Sequence, residues 1–364
     1  QPAIELFRTM GWNTIDGMDE FKKGKSPLGR PTESEVILSS KLEPSITKLN
    51  PKINTEAVKL AIEELSRDRS KMSPANANRE VYQLLKDGVK VTYRDDTGED
   101  TTDVVKLIDW NNPSNNDYLL VSEFWVMGEL YRRRADLVGF VNGIPLIFIE
   151  LKAVHKSIKN AFDGNLKDYK STIPQLFWSN GVIILSNGSD ARIGSITSSW
   201  EHFNQWKRIN HEGEQGVISL ETMIKGVCEP SRLLDLIENF VIYQDISGGL
   251  VKICAKNHQY LGVNKAVEEL KELRVTSITA NKSIPTQYES SGRLGVFWHT
   301  QGSGKSVSMI YFAQKVLRKL PGNWTFVIVT DRRELDDQIY KNFANAGVIT
   351  ESQAQAESGE DLKR

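Results

Sequence analysis

The chain has 364 residues, 39% of them hydrophobic and 26% charged, with a formal net charge of −1. That length admits two or three globular domains, and near-neutrality excludes a protein that gathers nucleic acid by bulk charge, so DNA binding would need local patches. No apolar run is long enough to span a membrane, no signal peptide opens the chain, and the two cysteines, Cys228 and Cys254, form no metal-spaced pair; a cytoplasmic protein with no membrane contact is expected.

The sequence begins with Gln1 and ends in a polar run to Arg364, and it reads as a piece of a longer protein. Residues 3–10 form a short amphipathic segment closed by Gly11. Residues 21–30 carry Lys22, Lys23, Lys25 and Arg30, whose plain reading is a solvated loop rather than a phosphate contact. Thr32-Glu-Ser-Glu35 has capping-box spacing, and apolar residues then recur at helical intervals from Val36 to Leu49, up to Asn50-Pro51. Further helices are predicted from Thr55 to about Arg69 and from Glu80 to Lys86.

The period then changes. Val89–Tyr93, Thr102–Asp109 and Tyr118–Val126 read as strands, and two longer apolar runs follow, joined by Asn142-Gly143. Beyond them come a helix from Ile158 to Lys170, a buried strand Val182–Leu185 and a short strand Ala191–Ser195. Trp200, Phe203 and Trp206 read as core or lid packing rather than base-stacking platforms. Glu229–Tyr243 is helical in pattern, and Ser247-Gly-Gly249 marks a boundary between domains 1–246 and 247–364. The second domain shows a helix through Gln259, Val263 and Leu270, then a polar stretch from Ser277 to Arg293. Strand Leu294–Trp298, loop His299–Ser306, a helix to Leu320, strand Trp324–Thr330 and a helix Glu334–Phe343 follow, the opening of a parallel α/β lobe.

Two constellations carry chemistry. His299-Thr-Gln-Gly-Ser-Gly-Lys-Ser306 has phosphate-loop spacing between a strand and a helix, with His where many such loops have Gly or Ala. Gly302 and Gly304 let backbone N–H groups turn onto ATP phosphates, Lys305 reaches the outer phosphates, and Ser306 is placed to hold Mg²⁺. No later residues form an apolar strand ending in Asp-Glu, so this stretch carries nucleotide-binding parts without the hydrolytic ones.

The second constellation is Asp136 on the first apolar run and Glu150-Leu-Lys152 on the second. Side chains two apart on a strand share a face, and charge in an apolar run must be paired or hold a metal. Asp136 and Glu150 on one face would bind a divalent ion, with Lys152 orienting water or stabilising charge on phosphorus; spacing alone equally fits an internally paired cluster. Parity adds a demand. A two-residue Asn142-Gly143 turn pairs Val141 with Ile144 and, unbroken, sets Asp136 opposite Ile149, facing away from Glu150. A shared face therefore needs an odd loop, such as Val141-Asn142-Gly143, or a bulge. Arg132, Arg133 and Arg134 lead into this hairpin, and Asn165 and Tyr169 share a helix face with Lys156, Lys159, Lys167 and Lys170 nearby, a DNA track in outline.

The order of these motifs resembles the N-terminal part of the motor and nuclease (R) subunit of type I restriction enzymes. The run from Arg134 to Lys152 looks like that family's PD-(D/E)xK nuclease core, with Ala135 where Pro is usual. The resemblance implies a mixed sheet flanked by helices, followed by the start of a RecA-like P-loop lobe of superfamily 2. It implies that Asp136, Glu150 and Lys152 are catalytic, that Glu35 joins the metal site, and that Asn165 (where the family has Gln) and Tyr169 contact DNA. His258-Gln259-Tyr260 resembles the adenine-reading Q motif, implying that Gln259 contacts the base, and Val329–Gln338 resembles motif Ia. The implied activity is Mg²⁺-dependent cleavage of duplex DNA, coupled to ATP-driven translocation in complex with methyltransferase (M) and specificity (S) subunits. A nuclease-helicase of DNA repair and a non-catalytic scaffold with a degenerate nuclease fold are the alternatives.

Overall fold

The computed structural model describes every residue except 23–25, 96, 280–293, 348–355, 357 and 361–364. The expected basic residues Lys23 and Lys25 and most of the polar stretch Ser277–Arg293 therefore lie outside the described residues. The chain forms two compact units, one of Gln1–Ile209 with Gln215–Glu238, the other of Asn210–Glu214 with Asn239–Arg364.

The first unit opens with α1 (Pro2–Thr9) and β1 (Asn13–Asp16), followed by α2 (Ser39–Leu49), α3 (Thr55–Ser66) and α4 (Pro74–Asp87). Local chemistry sets these ends. The Asn54 side chain accepts the Glu56 N–H to cap α3, and Ser73 caps α4 by accepting the Asn76 N–H, with Pro74 in the first turn. Helix α2 starts later than Val36 because Arg30 Nη1 donates to the Glu35 carbonyl at 2.8 Å and Leu38 N–H donates to Gly143 O at 2.8 Å. Thr32-Glu-Ser-Glu35 is thus a turn ahead of the helix rather than its cap. Arg30 is no surface cation: it is 2% exposed, pairs with Glu20 at 2.5 Å and lies over the Phe124 ring.

A hairpin of β2 (Val89–Arg94) and β3 (Asp100–Val105) precedes the main strands: β4 (Tyr118–Met127), β5 (Arg132–Val141), β6 (Ile144–Leu151), β7 (Val182–Ser186), β8 (Ala191–Gly194) and β9 (Asn204–Gln205). With β1 they form one mixed sheet in the order β1-β4-β5-β6-β7-β8-β9. Strands β4, β5 and β6 run antiparallel in succession, and β7 returns parallel to β6 after a helical crossover. That crossover is a π-helical turn (Ala161–Leu166) running into α5 (Lys167–Thr172). Its apolar residues Phe162, Leu166 and Tyr169 pack with Val138, Phe148 and Leu185 on one face of the sheet. Phe203 and Trp206 are each 1% exposed, as expected of core aromatics. Helices α6 (Leu220–Val227) and α7 (Pro230–Asn239) complete the unit.

The hairpin is a two-residue turn. Asn142 and Gly143 both take positive φ, 53° and 80°, which is the type I′ conformation that suits twisted strands. Val141 pairs with Ile144 and Phe140 with Pro145, but Gly139 pairs with Ile147, so Leu146 is an extra residue in β6. The odd three-residue loop does not form; the bulge does. Gly139 offers no Cβ where Ile147 Cβ would come within 3.1 Å.

In the second unit β10 (Val241–Ile246) and β11 (Gly249–Cys254) form an antiparallel hairpin, followed by α8 (Asn257–Thr279), α9 (Lys305–Lys319) and α10 (Arg333–Asn345). The boundary expected at Ser247-Gly-Gly249 falls on the turn of this hairpin, and the helix expected to Tyr243 ends at Asn239, because Val241-Ile-Tyr243 pairs with Lys252-Ile-Cys254. The Phe240 ring lies 4.7 Å from Tyr260 and 5.5 Å from Tyr311, centroid to centroid, at the heart of this unit. Leu294–Trp298 and Trp324–Thr330, expected as strands, carry no strand pairing. A strand exists only where a neighbour completes its hydrogen bonds, and consecutive strands of a parallel sheet need not be neighbours. Val296 and Val329 are accordingly 91% and 86% exposed. Among the described residues no helix is long and apolar enough to cross a membrane.

The turn of the main hairpin is itself a packing element, since a Cβ on Gly143 would meet Leu38 O at 2.6 Å as well as straining a φ of 80°. Gly143→Ala is expected to lower stability by about 1–3 kcal/mol, read as a shift of the urea midpoint with unchanged slope. An unshifted midpoint would contradict this account of the turn.

Candidate functional site

The bulge at Leu146 decides what the central strands present. Leu137 pairs with Ile149, and continuing that register sets Asp136 opposite Glu150. The two carboxylates thus share the sheet face that carries Val138, Phe148 and Tyr169. Every residue from Leu137 to Glu150 is buried, and Glu150 is 1% exposed.

Asp136 Oδ2 accepts the Leu151 N–H at 2.7 Å, which fixes its orientation. Lys152 Nζ donates to Glu150 Oε1 at 2.9 Å, while Glu150 Oε2 is buried without a hydrogen-bond partner. Burial first, and the Asp136 charge second, push the Glu150 carboxyl up to about 7; Lys152 offsets part of that rise. An acid so placed is either protonated or in need of a cation. Among the described residues, no group of three or more His, Cys, Asp or Glu is assembled to hold a metal.

A third acid, missed in the sequence, borders the pair. Ser122 pairs with Leu137 and Phe124 with Ala135, so Glu123 on β4 falls opposite Asp136. Glu123 has a φ of 54°, a left-handed conformation that costs a non-glycine residue about 1–2 kcal/mol. The only sequence signal was a carboxylate interrupting the apolar run Leu119–Val126.

The other expected residues lie as follows. Tyr169 is buried rather than presented to a phosphate backbone: its hydroxyl donates to Arg134 O at 2.8 Å, and burial, then the Glu150 charge, push its pKa up to about 12. Asn165, in the π-helical turn, is half-buried, and its side chain bonds the same Tyr169 hydroxyl. Glu35 is not brought to the pair: Thr32 Oγ1 donates to its carboxylate at 3.5 Å, and it lines a separate cavity with Leu65, Gln175 and Trp178. The three arginines are all engaged. Arg132 holds Glu33 through two bonds of 2.6 Å, Arg133 holds Asp168 at 2.5 Å, and Arg134 lies 2.6 Å from Glu123. Of the nearby lysines, Lys170 donates to Ile196 O and Lys167 to Asp163, while Lys156 and Lys159 are exposed.

In the second unit the phosphate-type loop is folded on itself. Gly302 and Gly304 take φ of 75° and 91°, and Lys305, at the start of α9, donates to the His299 and Thr300 carbonyls at 2.9 and 3.1 Å. Gln259 is 2% exposed; its amide donates to Gly304 O at 3.0 Å and accepts the Lys256 N–H at 2.9 Å. It clamps the loop, and both ends of its amide are engaged. Ser306 is half-buried in the first turn of α9.

Fold and site together define a mixed α/β protein with an acid–acid–lysine group on its main sheet, Glu150 buried and Asp136 and Lys152 half-buried, and a phosphate-type loop opening a helix in its second unit. The chain belongs to the type I restriction enzyme R protein N-terminus family, whose model matches residues 1–202. Residues 258–364 match a second family, described as SWI2/SNF2 ATPase. Over its full length the chain is 32% identical to the type I restriction enzyme HindI endonuclease subunit of Haemophilus influenzae, covering 34% of that protein. It is 29% identical, over 99% of its length and 35% of the relative's, to the putative type I restriction enzyme MjaIXP endonuclease subunit of Methanocaldococcus jannaschii. The chain thus spans about a third of the curated relatives it matches.

The elevated Glu150 carboxyl has a stability consequence. Between the ordinary carboxylate range and about pH 7 the folded protein keeps a proton that the unfolded chain releases, so stability falls as pH rises through that window. Glu150→Gln, measured with a chelator present, is expected to be more stable than wild type by about 2 kcal/mol at pH 8 and nearly equal to it at pH 4. A melting-temperature difference that does not grow with pH would overturn the assignment.

Proposed function

We propose that the first unit is a nuclease centre of PD-(D/E)xK type, cleaving duplex DNA with Mg²⁺. The observation that carries this reading is the pair Asp136 and Glu150, brought face to face by the bulge, with Glu150 Oε2 buried and unpartnered. A buried carboxylate oxygen beside a second carboxylate suits a hard divalent cation, so these residues fit the ion. The order of helix, three antiparallel strands, helix, and a strand parallel to the third supports the same reading.

Asp136 and Glu150 would hold the ion, and the Leu151 carbonyl would supply a further oxygen. The ion, when bound, would polarise a phosphodiester and acidify a bound water. Lys152, kept beside Glu150 at 2.9 Å, orients the attacking water and meets the charge that develops on phosphorus. Tyr169, through Arg134 O, and the Leu151 N–H on Asp136 keep strand and carboxylate in place.

The second unit binds ATP, with Gly302, Gly304, Lys305 and Ser306 around the phosphates and Mg²⁺; Lys305 would exchange its two carbonyl partners for phosphate oxygens. In a longer protein these parts would serve an ATP-driven DNA translocase working with methyltransferase and specificity subunits. The similarity to type I restriction endonuclease subunits supports that assembly.

Plasmid cleavage by the intact restriction complex tests the nuclease: Lys152→Ala is expected to cut at least a hundredfold more slowly while ATP hydrolysis continues. Equal cutting would remove the assignment from this hairpin. For the second unit, Lys305→Ala is expected to weaken fluorescent ATP binding about tenfold or more, and unchanged titration curves would refute the loop's role.

A further inference from the structure

The acid pair does not end at β5. Three observations converge on Glu123. First, the sheet is distorted on both strands where Glu123 and Asp136 oppose each other. Val121 and Phe124 of β4 pack in one core although they are three residues apart, and so do Val138 and Ala135 of β5. Strict alternation forbids this, and the left-handed Glu123, with φ 54°, absorbs the extra half-turn on β4. Second, the Glu123 charge acts on Glu150 across Asp136, so the three acids form one electrostatic row over β4, β5 and β6. Third, Glu123 is held aside. Arg134 Nε lies 2.6 Å from its Oε2, yet the two are not aligned as a hydrogen bond. The Arg134 side chain remains 38% exposed, with its carbonyl fixed by the Tyr169 hydroxyl.

We propose that Glu123 is a third carboxylate of the cation site, joining Asp136 and Glu150 when the Arg134 side chain swings from it to a DNA phosphate. The inference rests on the nuclease-centre reading. It accounts for the fact that no three acids are grouped to hold an ion among the described residues: Arg134 occupies the third. Glu150 Oε2, buried and unpartnered, is an oxygen whose lone pairs are left for a cation. The exchange also couples the two ligands. A phosphate that takes Arg134 frees Glu123, so DNA and cation strengthen each other's binding.

The test is a calorimetric titration of the full chain with Mn²⁺, without DNA. Glu123→Gln is expected to weaken binding about tenfold. Arg134→Ala is expected to tighten it about threefold or more by releasing Glu123, and the double variant is expected to match Glu123→Gln alone. Glu123→Gly, which removes the left-handed strain together with the charge, is expected to bind like Glu123→Gln and to melt no lower than wild type, separating charge from folding. Equal Mn²⁺ affinity of Glu123→Gln and wild type, or no tightening in Arg134→Ala, overturns the proposal. Asp136→Asn distinguishes the two levels. If it abolishes binding while Glu123→Gln does not weaken it, only the third carboxylate is lost; if wild type binds no Mn²⁺, or Asp136→Asn binds as wild type does, the nuclease-centre reading falls as well.

Discussion

One residue of register holds this protein's candidate chemistry together. Two carboxylates on adjacent buried strands repel each other and are stripped of water, an arrangement a sheet avoids unless something forces it. Here the extra residue Leu146 forces it. The surroundings keep the slip from annealing out: Gly181 N–H and Asn180 Nδ2 donate to the Leu146 carbonyl at 2.8 and 3.3 Å, and Ser179 Oγ donates to Pro145 O at 2.8 Å. The turn beyond it is locked by Asn142, whose side chain donates to Leu107 O and Asn116 Oδ1 and accepts the Asp117 N–H. The bulge and the turn beside it are both held from outside the hairpin, so the acids remain opposed.

Charge around this centre is arranged for placement more than for attraction. Arg30 is a buried peg: Glu20 neutralises it, and it donates to Trp125 O at 2.6 Å, two residues from the kink at Glu123. Arg132, Arg133 and Arg134 tie β5 to the loop before α2, to α5 and to β4. A basic run in the sequence is thus mostly a set of struts. Only Arg134 is both exposed in part and joined to its acid by a poorly aligned contact, which makes it the arginine most easily drawn away.

The second unit shows the reverse relation between sequence and form. Its loop residues Gly302, Gly304 and Lys305 occupy the start of α9, where their spacing puts them, because left-handed glycines and a helix start are local properties. The flanking apolar runs at 294–298 and 324–330 have strand composition but no ladder, because a strand is defined by its neighbour. Gln259, which the resemblance implies to contact the base, has its amide on the backbone around the loop, at Gly304 O and the Lys256 N–H.

By itself the sequence determined most of the first unit's main-sheet strands, the acid and lysine positions, and the requirement that the register slip if Asp136 and Glu150 were to meet. The tertiary structure alone decided that the slip is a bulge and not a wider turn, and that Glu123 rather than Glu35 borders the pair. It also turned Tyr169 inward and found each arginine an acid. The physical reason is range. Turn chemistry and side-chain alternation act over a few residues and are written locally, whereas which charges meet depends on strands and loops up to about a hundred residues apart, as Arg132 and Glu33 are, and is settled only when the sheet closes.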